Sequence, residues 1–119
     1  MTIDYGLTAE EWLTPERKEG TLRAYRGHKV IRDVLERPGE QDLTAHVNFG
    51  ELQLAGEAAG LATEMLTTQG QFLTGIAGRM WTEGTRLGEW TMERRKEFWT
   101  LTHPEHLGKA FRILVQRRT

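Results

Sequence analysis

Residues 48–67 read NFGELQLAGEAAGLATEMLT, and this stretch decides the fold class. Asn48 suits a helix N-cap, because its side-chain oxygen can accept a first-turn amide, and Glu51 follows three residues on as a capping partner. Phe49, Leu52, Ala55 and Ala59 fall on one helical stripe, with Leu54, Ala58 and Leu61 beside it. Gly60 is a natural stop, since it enters left-handed backbone without a Cβ clash. Ala62–Thr67 then reads as a short strand. A helix feeding a strand is half of a crossover unit and points to a layered α/β architecture.

Outward from this unit the pattern continues. Residues 68–78 read as a glycine-broken segment with a short helix led by Gln69, Gln71 and Phe72. Met80 to Thr100 reads as mostly helical, with Leu87, Trp90, Arg94, Phe98 and Leu101 at helical spacing. Thr102-His103-Pro104-Glu105 looks like a further helix start with proline in its first turn, stopped at Gly108. Phe111–Gln116 reads as a closing strand, and Leu114 opposite Phe111, Ile113 and Val115 implies that both faces are covered. Upstream, Thr2-Ile3 reads as a strand end followed by Asp4-Tyr5-Gly6, where open α/β sheets place ligands. Thr8 and Glu11 form a capping box, with Leu7 and Trp12 as its staple, and Pro15 and Gly20 keep that helix short. Residues 20–47 show little periodicity. They are expected to be a long connection with one extended piece at Lys29-Val30-Ile31 and a turn at Pro38-Gly39. That gives three short strands in total.

The composition narrows function. The chain has 119 residues, 38% hydrophobic and 28% charged, which suits one small folded unit. Sixteen basic and seventeen acidic residues leave a net charge of −1, which argues against bulk binding to nucleic acid or an anionic membrane. No cysteine is present, so disulfides, thiolate metal sites and cysteine nucleophiles are excluded. Serine is absent too, and the threonines lack a recognisable base partner. Neither a signal peptide nor a bilayer-spanning run is visible, and a cytoplasmic location is expected.

Two polar islands stand out, GTLRAYRGHKV at 20–30 and GEQDLTAHVNF at 39–49. His28 and His46 within them are either turn residues bonded to backbone or pocket-lining groups able to act as a base. Asp4 either meets a ligand or caps the following helix. Asp42 either lines a site or makes an Asx-turn. Arg23 and Arg26 flank Tyr25, and either clamp a carboxylate, pair with Asp4 or Asp42, or stay solvated. Tyr25 can stack or donate a hydrogen bond. His103 and His106 lie three apart without a third ligand, so they read as helix-surface residues rather than a zinc site. No loop in the chain resembles a glycine-rich nucleotide cradle.

Asp4-Tyr5-Gly6, then PERKEGTLRAYRGH at 15–28, then DLTAHVNF at 42–49 resemble the MidA-type S-adenosylmethionine-dependent methyltransferases, the family that includes the mitochondrial complex I assembly methyltransferase. Ala58-Ala59-Gly60-Leu61, TTQGQFL at 67–73 and LGKAFRIL at 107–114 resemble further family segments in the same order. The family has aspartate where Asn48 stands, and asparagine keeps the capping role. The resemblance covers essentially this whole chain but only the C-terminal third or so of a family member.

It implies an α/β fold: the C-terminal portion of a class I, Rossmann-like methyltransferase sheet with helical insertions, without its N-terminal strands and cofactor loop. Residues 1–119 would form one partial domain. Residues 1–47 would supply a strand end and substrate-side loops, and 48–119 a helix–strand unit, a helical insertion and the final strand. Thr2-Ile3 would end the fifth strand, Ala62–Thr67 would be the sixth and Phe111–Gln116 the seventh, the last two forming an antiparallel edge hairpin. The implied activity is methyl transfer to a protein arginine, with S-adenosylmethionine as cofactor. Asp4, Asp42 and His46 become the catalytic candidates. Tyr5, Arg23, Tyr25, His28 and Thr44 are placed on the substrate side, with no cofactor residue assigned and no metal. The partners implied are a protein substrate or a separate N-terminal half. Because three strands leave open edges, self-association is also expected. A non-catalytic interaction or assembly module that kept the fold remnant is the competing reading.

Overall fold

In this computed structural model, which describes residues 1–83 and 88–119, strand β1 spans Thr2–Leu7. It is longer than the expected stump, so Asp4, Tyr5 and Gly6 lie within the strand rather than beyond it. Pairing is the reason: Asp4 and Tyr5 face Arg112 and Phe111 across an antiparallel ladder, and Gly6 and Leu7 face Val47 and Asn48 in parallel. Thr8 and Glu11 form the expected capping box at the start of α1 (Ala9–Trp12).

Residues 20–47 depart from the expected long connection. They hold a second sheet made of β2 (Arg23–Arg26), β3 (Lys29–Ile31) and β4 (Asp42–Thr44), with β2 in the middle. Gly27 and His28 turn β2 into β3 with φ of 55° and 63°. Two successive positive φ values suit a tight hairpin whose twist matches its strands.

Strand β5 (Val47–Asn48) leads into α2 (Phe49–Ala58), which begins as expected: Asn48 Oδ1 accepts from the Glu51 amide at 3.2 Å. Gly60, at φ 86°, ends the turn after α2 and opens β6 (Leu61–Thr68). Helix α3 then runs unbroken over Gln69–Thr82, despite three internal glycines. Gly70 is a contact position, since a Cβ there would stand 2.5 Å from Thr102 O. Helix α4 covers Met92–Thr102, and Leu87 of the expected stripe lies outside the described residues. The helix expected to start at Thr102 does not. Proline disfavours helical backbone in the residue before it, so His103 is extended at ψ 134° and closes α4. A short α5 (Leu107–Ala110) follows and contains Gly108 rather than stopping there.

The last strand, β7 (Phe111–Arg118), is the centre of the main sheet, whose order is β5-β1-β7-β6. It runs antiparallel to both β1 and β6. Ile113 and Leu114 point to opposite faces and are only 1% and 2% exposed, so both faces are covered as the sequence implies. Each such side chain contributes about 1.5–3 kcal/mol by burial. Phe49, fully buried, plugs the junction of β1, β5 and α2. Gln116 fastens α2 to the hairpin by donating to Gln53 O at 3.0 Å and Thr63 Oγ1 at 3.1 Å. The radius of gyration is 17.7 Å, above the roughly 13–14 Å of a compact chain this long. Among the described residues no helix is long and apolar enough to cross a membrane.

Candidate functional site

Side chains two apart on a strand share a face, and β2 and β4 use this to gather polar groups. Arg23 pairs with Thr44 and Tyr25 with Asp42, so all four residues stand on one face of the small sheet. That face meets the end of β1. The two sheets enclose a cleft of about 300 Å³ lined by Tyr5, Tyr25, Thr44, Ala45 and His46.

Each wall is held from behind. The Tyr5 ring lies against Phe111, with centroids 4.2 Å apart and planes inclined by 39°, while nearly half of the residue stays accessible. His46 is positioned through its backbone, whose amide donates to Thr21 Oγ1 at 3.0 Å, and Thr21 is buried. Arg23 turns to its own backbone, donating to Leu22 O at 2.7 Å and Gly20 O at 3.4 Å. Arg26 lies 3.6 Å from Glu36. Neither arginine therefore neutralises Asp42, whose carboxylate makes no hydrogen bond or ion pair among the described residues. The cleft thus offers two phenol rings, an imidazole, a hydroxyl and, on the same sheet face, an uncompensated carboxylate.

Of the eight residues proposed from sequence, Tyr5, Tyr25, Thr44 and His46 line the cleft. Arg23 and Asp42 flank it on the shared face. Asp4 does not enter: its Oδ1 accepts from the Tyr5 amide at 2.7 Å, a capping bond within the strand. His28 sits at the Gly27-His28 turn, at the other end of the small sheet from Thr44. Sequence reasoning missed two supporting residues, Phe111 beneath Tyr5 and Thr21 beneath His46. Both act through pairings distant in sequence, and no local signal marks them.

A second, more open cleft of about 540 Å³ lies between α1, α3 and α5. On its border Arg112 pairs with Glu11. Burial pushes the Glu11 carboxyl up, but the Thr8 amide and the Arg112 charge outweigh it and hold the group below its ordinary value of 4.5. Glu57 is also held low, by the Thr63 hydroxyl and then the Gln53 amide, against slight desolvation. His103 and His106 pack on Trp99, with ring centroids 4.6 and 4.4 Å from it. Among the described residues no group of three or more histidine and acidic side chains is placed to hold a metal ion. Among the described residues the glycines with left-handed backbone are Gly20, Gly27, Gly39, Gly60 and Gly88, with no two adjacent in sequence.

Comparison with other proteins gives three findings. Residues 1–67 match the model of a family described as "Putative S-adenosyl-L-methionine-dependent methyltransferase". None of the curated proteins matches the chain. Two crystal structures from Burkholderia thailandensis, both from one superfamily, share its fold. One is described as a "likely methyl transferase" bound to S-adenosyl-homocysteine. It is 28% identical, with a TM-score of 0.77 over 98% of this chain and 30% of its own. The other is a native structure of an uncharacterized protein, 27% identical, with a TM-score of 0.77 over 98% of this chain and 32% of its own. The chain spans about a third of the length of either.

Proposed function

The chain belongs to the S-adenosyl-L-methionine-dependent methyltransferase family whose model matches residues 1–67, and from that premise we propose that it forms the acceptor side of a methyl-transfer site. The observation that carries this reading is the cleft that gathers Tyr5, Tyr25, Thr44 and His46 between two sheets. The MidA-type assignment within the family belongs to the same proposal and rests on the DLTAHVNF string.

The acceptor in this reading is an arginine side chain of a protein. A guanidinium is drawn to aromatic faces and to carboxylates. Tyr5 and Tyr25 supply the faces, and Asp42, on the same sheet face beside the cleft, gives the acceptor segment a negative neighbour. Forming a new C–N bond requires the guanidinium nitrogen to shed a proton, and His46, on the cleft wall, is the base that receives it. S-adenosylmethionine supplies the electrophilic methyl group when bound. In this proposal further polypeptide holds the cofactor. One place for that polypeptide is the outer edge of β1, where β5 pairs only with Gly6 and Leu7 and leaves Thr2–Tyr5 open. A second copy of the chain is the other candidate for that edge. The cytoplasm is the compartment the reading assumes.

The test is methyl transfer from radiolabelled S-adenosylmethionine to protein acceptors, using this chain combined with a polypeptide that binds S-adenosylmethionine. His46→Ala should lower transfer by about 10²-fold or more, and Asp42→Asn should lower it less. Unchanged transfer by correctly folded variants removes both from the site. The second reading is a non-catalytic interaction or assembly module. It predicts that no combination restores transfer.

A further inference from the structure

Strand β4 is an edge strand: the small sheet has the order β3-β2-β4, and only β2 pairs with β4. Among the described residues the outer side of Asp42–Thr44 carries no backbone hydrogen bond to another element. This same strand runs directly into Ala45 and His46 on the cleft wall. Resting on the acceptor-side reading above, we infer that the acceptor segment binds as an extended strand added to the outer edge of β4, with one side chain delivered into the cleft and a second cationic side chain two residues away.

The pairing geometry dictates that spacing. A strand added beside β4 places one residue opposite Thr44 and another opposite Asp42, on the same face and two positions apart. The residue opposite Thr44 lies beside the cleft wall of Thr44, Ala45 and His46, and a long side chain there reaches over Thr44 toward Tyr25, one strand further in. The residue opposite Asp42 meets a carboxylate that neither Arg23 nor Arg26 neutralises. The intervening residue falls on the other face beside Leu43, which is 57% exposed, and is therefore apolar. Main-chain bonds give such additions their affinity, and alternating side-chain contacts give them their specificity. The opposite edge is less suited: β3 carries Lys29 and is separated from β4, which leads to the cleft wall at Thr44 and His46, by β2. The recognised pattern is cation–apolar–cation, with one of the two cations reacting.

The experiment is a nuclear magnetic resonance titration of the isotope-labelled chain with the blocked peptide acetyl-Thr-Arg-Val-Arg-Thr-amide. The inference expects shifted and exchange-protected amides at Asp42, Leu43 and Thr44, with shifts at Tyr5, Tyr25 and His46. Asp42→Lys, exposed and on an edge, should weaken the peptide roughly fivefold or more. It should also favour a matching peptide with glutamate in place of arginine. Shifts at Tyr5, Tyr25 and His46 without protection at 42–44 would overturn edge pairing and leave the acceptor cleft standing. A folded chain that responds nowhere, or equally to both peptides, would overturn the inference and count against the cleft as well.

Discussion

Replacing Gly6 with alanine should destabilise the chain, and should do so because of Phe49. A Cβ built on Gly6 would overlap Cδ2 and Cε2 of the Phe49 ring and stand 3.0 Å from Val47 O. The ring is fully buried, and the carbonyl belongs to the strand paired with β1, so neither can swing aside. Overpacking of this kind costs about 1–3 kcal/mol. Phe49→Ala should cost about 3–5 kcal/mol by leaving a cavity, a large part of the roughly 5–15 kcal/mol available to a domain. In the double variant the new methyl fills part of that cavity. Its extra cost should fall to near zero, giving a coupling of about 1–3 kcal/mol where independent sites add to within about 0.5 kcal/mol. Urea unfolding followed by far-ultraviolet circular dichroism, with unchanged slope, measures all four states. Without the clash, Gly6→Ala would stabilise by about 0.4–1 kcal/mol through the unfolded chain. A stabilising or strictly additive Gly6→Ala would therefore refute the packing described for this junction.

Two further outcomes follow from the caps and charges. Asn48→Ala should cost about 1 kcal/mol by removing the acceptor for the Glu51 amide, whereas Asn48→Asp keeps that acceptor, adds a charge favoured at a helix start, and should leave the urea midpoint unchanged or raised. The Glu11 carboxyl is held below 4.5, so its contribution to stability is present above that value and lost as pH falls through the lowered folded-state value. Arg112→Met should make stability less dependent on pH below about 4.5, read as a smaller drop in urea midpoint between neutral and acid buffer than in the unaltered chain.

Much of the main sheet was legible because its signals are local. Thr8 with Glu11, and Gly60, satisfy or release specific backbone groups as read, and Asn48 caps the Glu51 amide, although the return bond from Glu51 that would complete a box is not among those of the described residues. What escaped was set by partners distant in sequence. β1 is extended through Leu7 by β7 and β5, and nothing near Asp4 announces this. Gly70 looked like a break in α3 because the approach of Thr102 O, which makes glycine necessary, comes from another helix. Of the small sheet only β3 was read, as the extended piece Lys29-Val30-Ile31; β2 and β4 escaped because they are three or four residues long and mostly polar. A further local signal was Gly27-His28, a pair able to take positive φ between Tyr25 and Val30. For the cleft, the sequence supplied the residue types and the DLTAHVNF string. Only cross-strand register separates Tyr25, Asp42 and Thr44, which share a face, from Asp4 and His28, which lie elsewhere.

The claim that this chain contributes the acceptor side is tested most directly by separating the two substrates of a reconstituted enzyme carrying Tyr25→Ala. Cofactor affinity is measured by calorimetry, and kcat/KM for the protein acceptor by label transfer. The account predicts a fall in kcat/KM of about tenfold or more, since an aromatic–cation contact is lost from a partly desolvated cleft. The dissociation constant for S-adenosylmethionine should stay within about twofold, because measured binding of a ligand changes little when a residue outside its site is altered. Weakened cofactor binding with unchanged acceptor kinetics would contradict it.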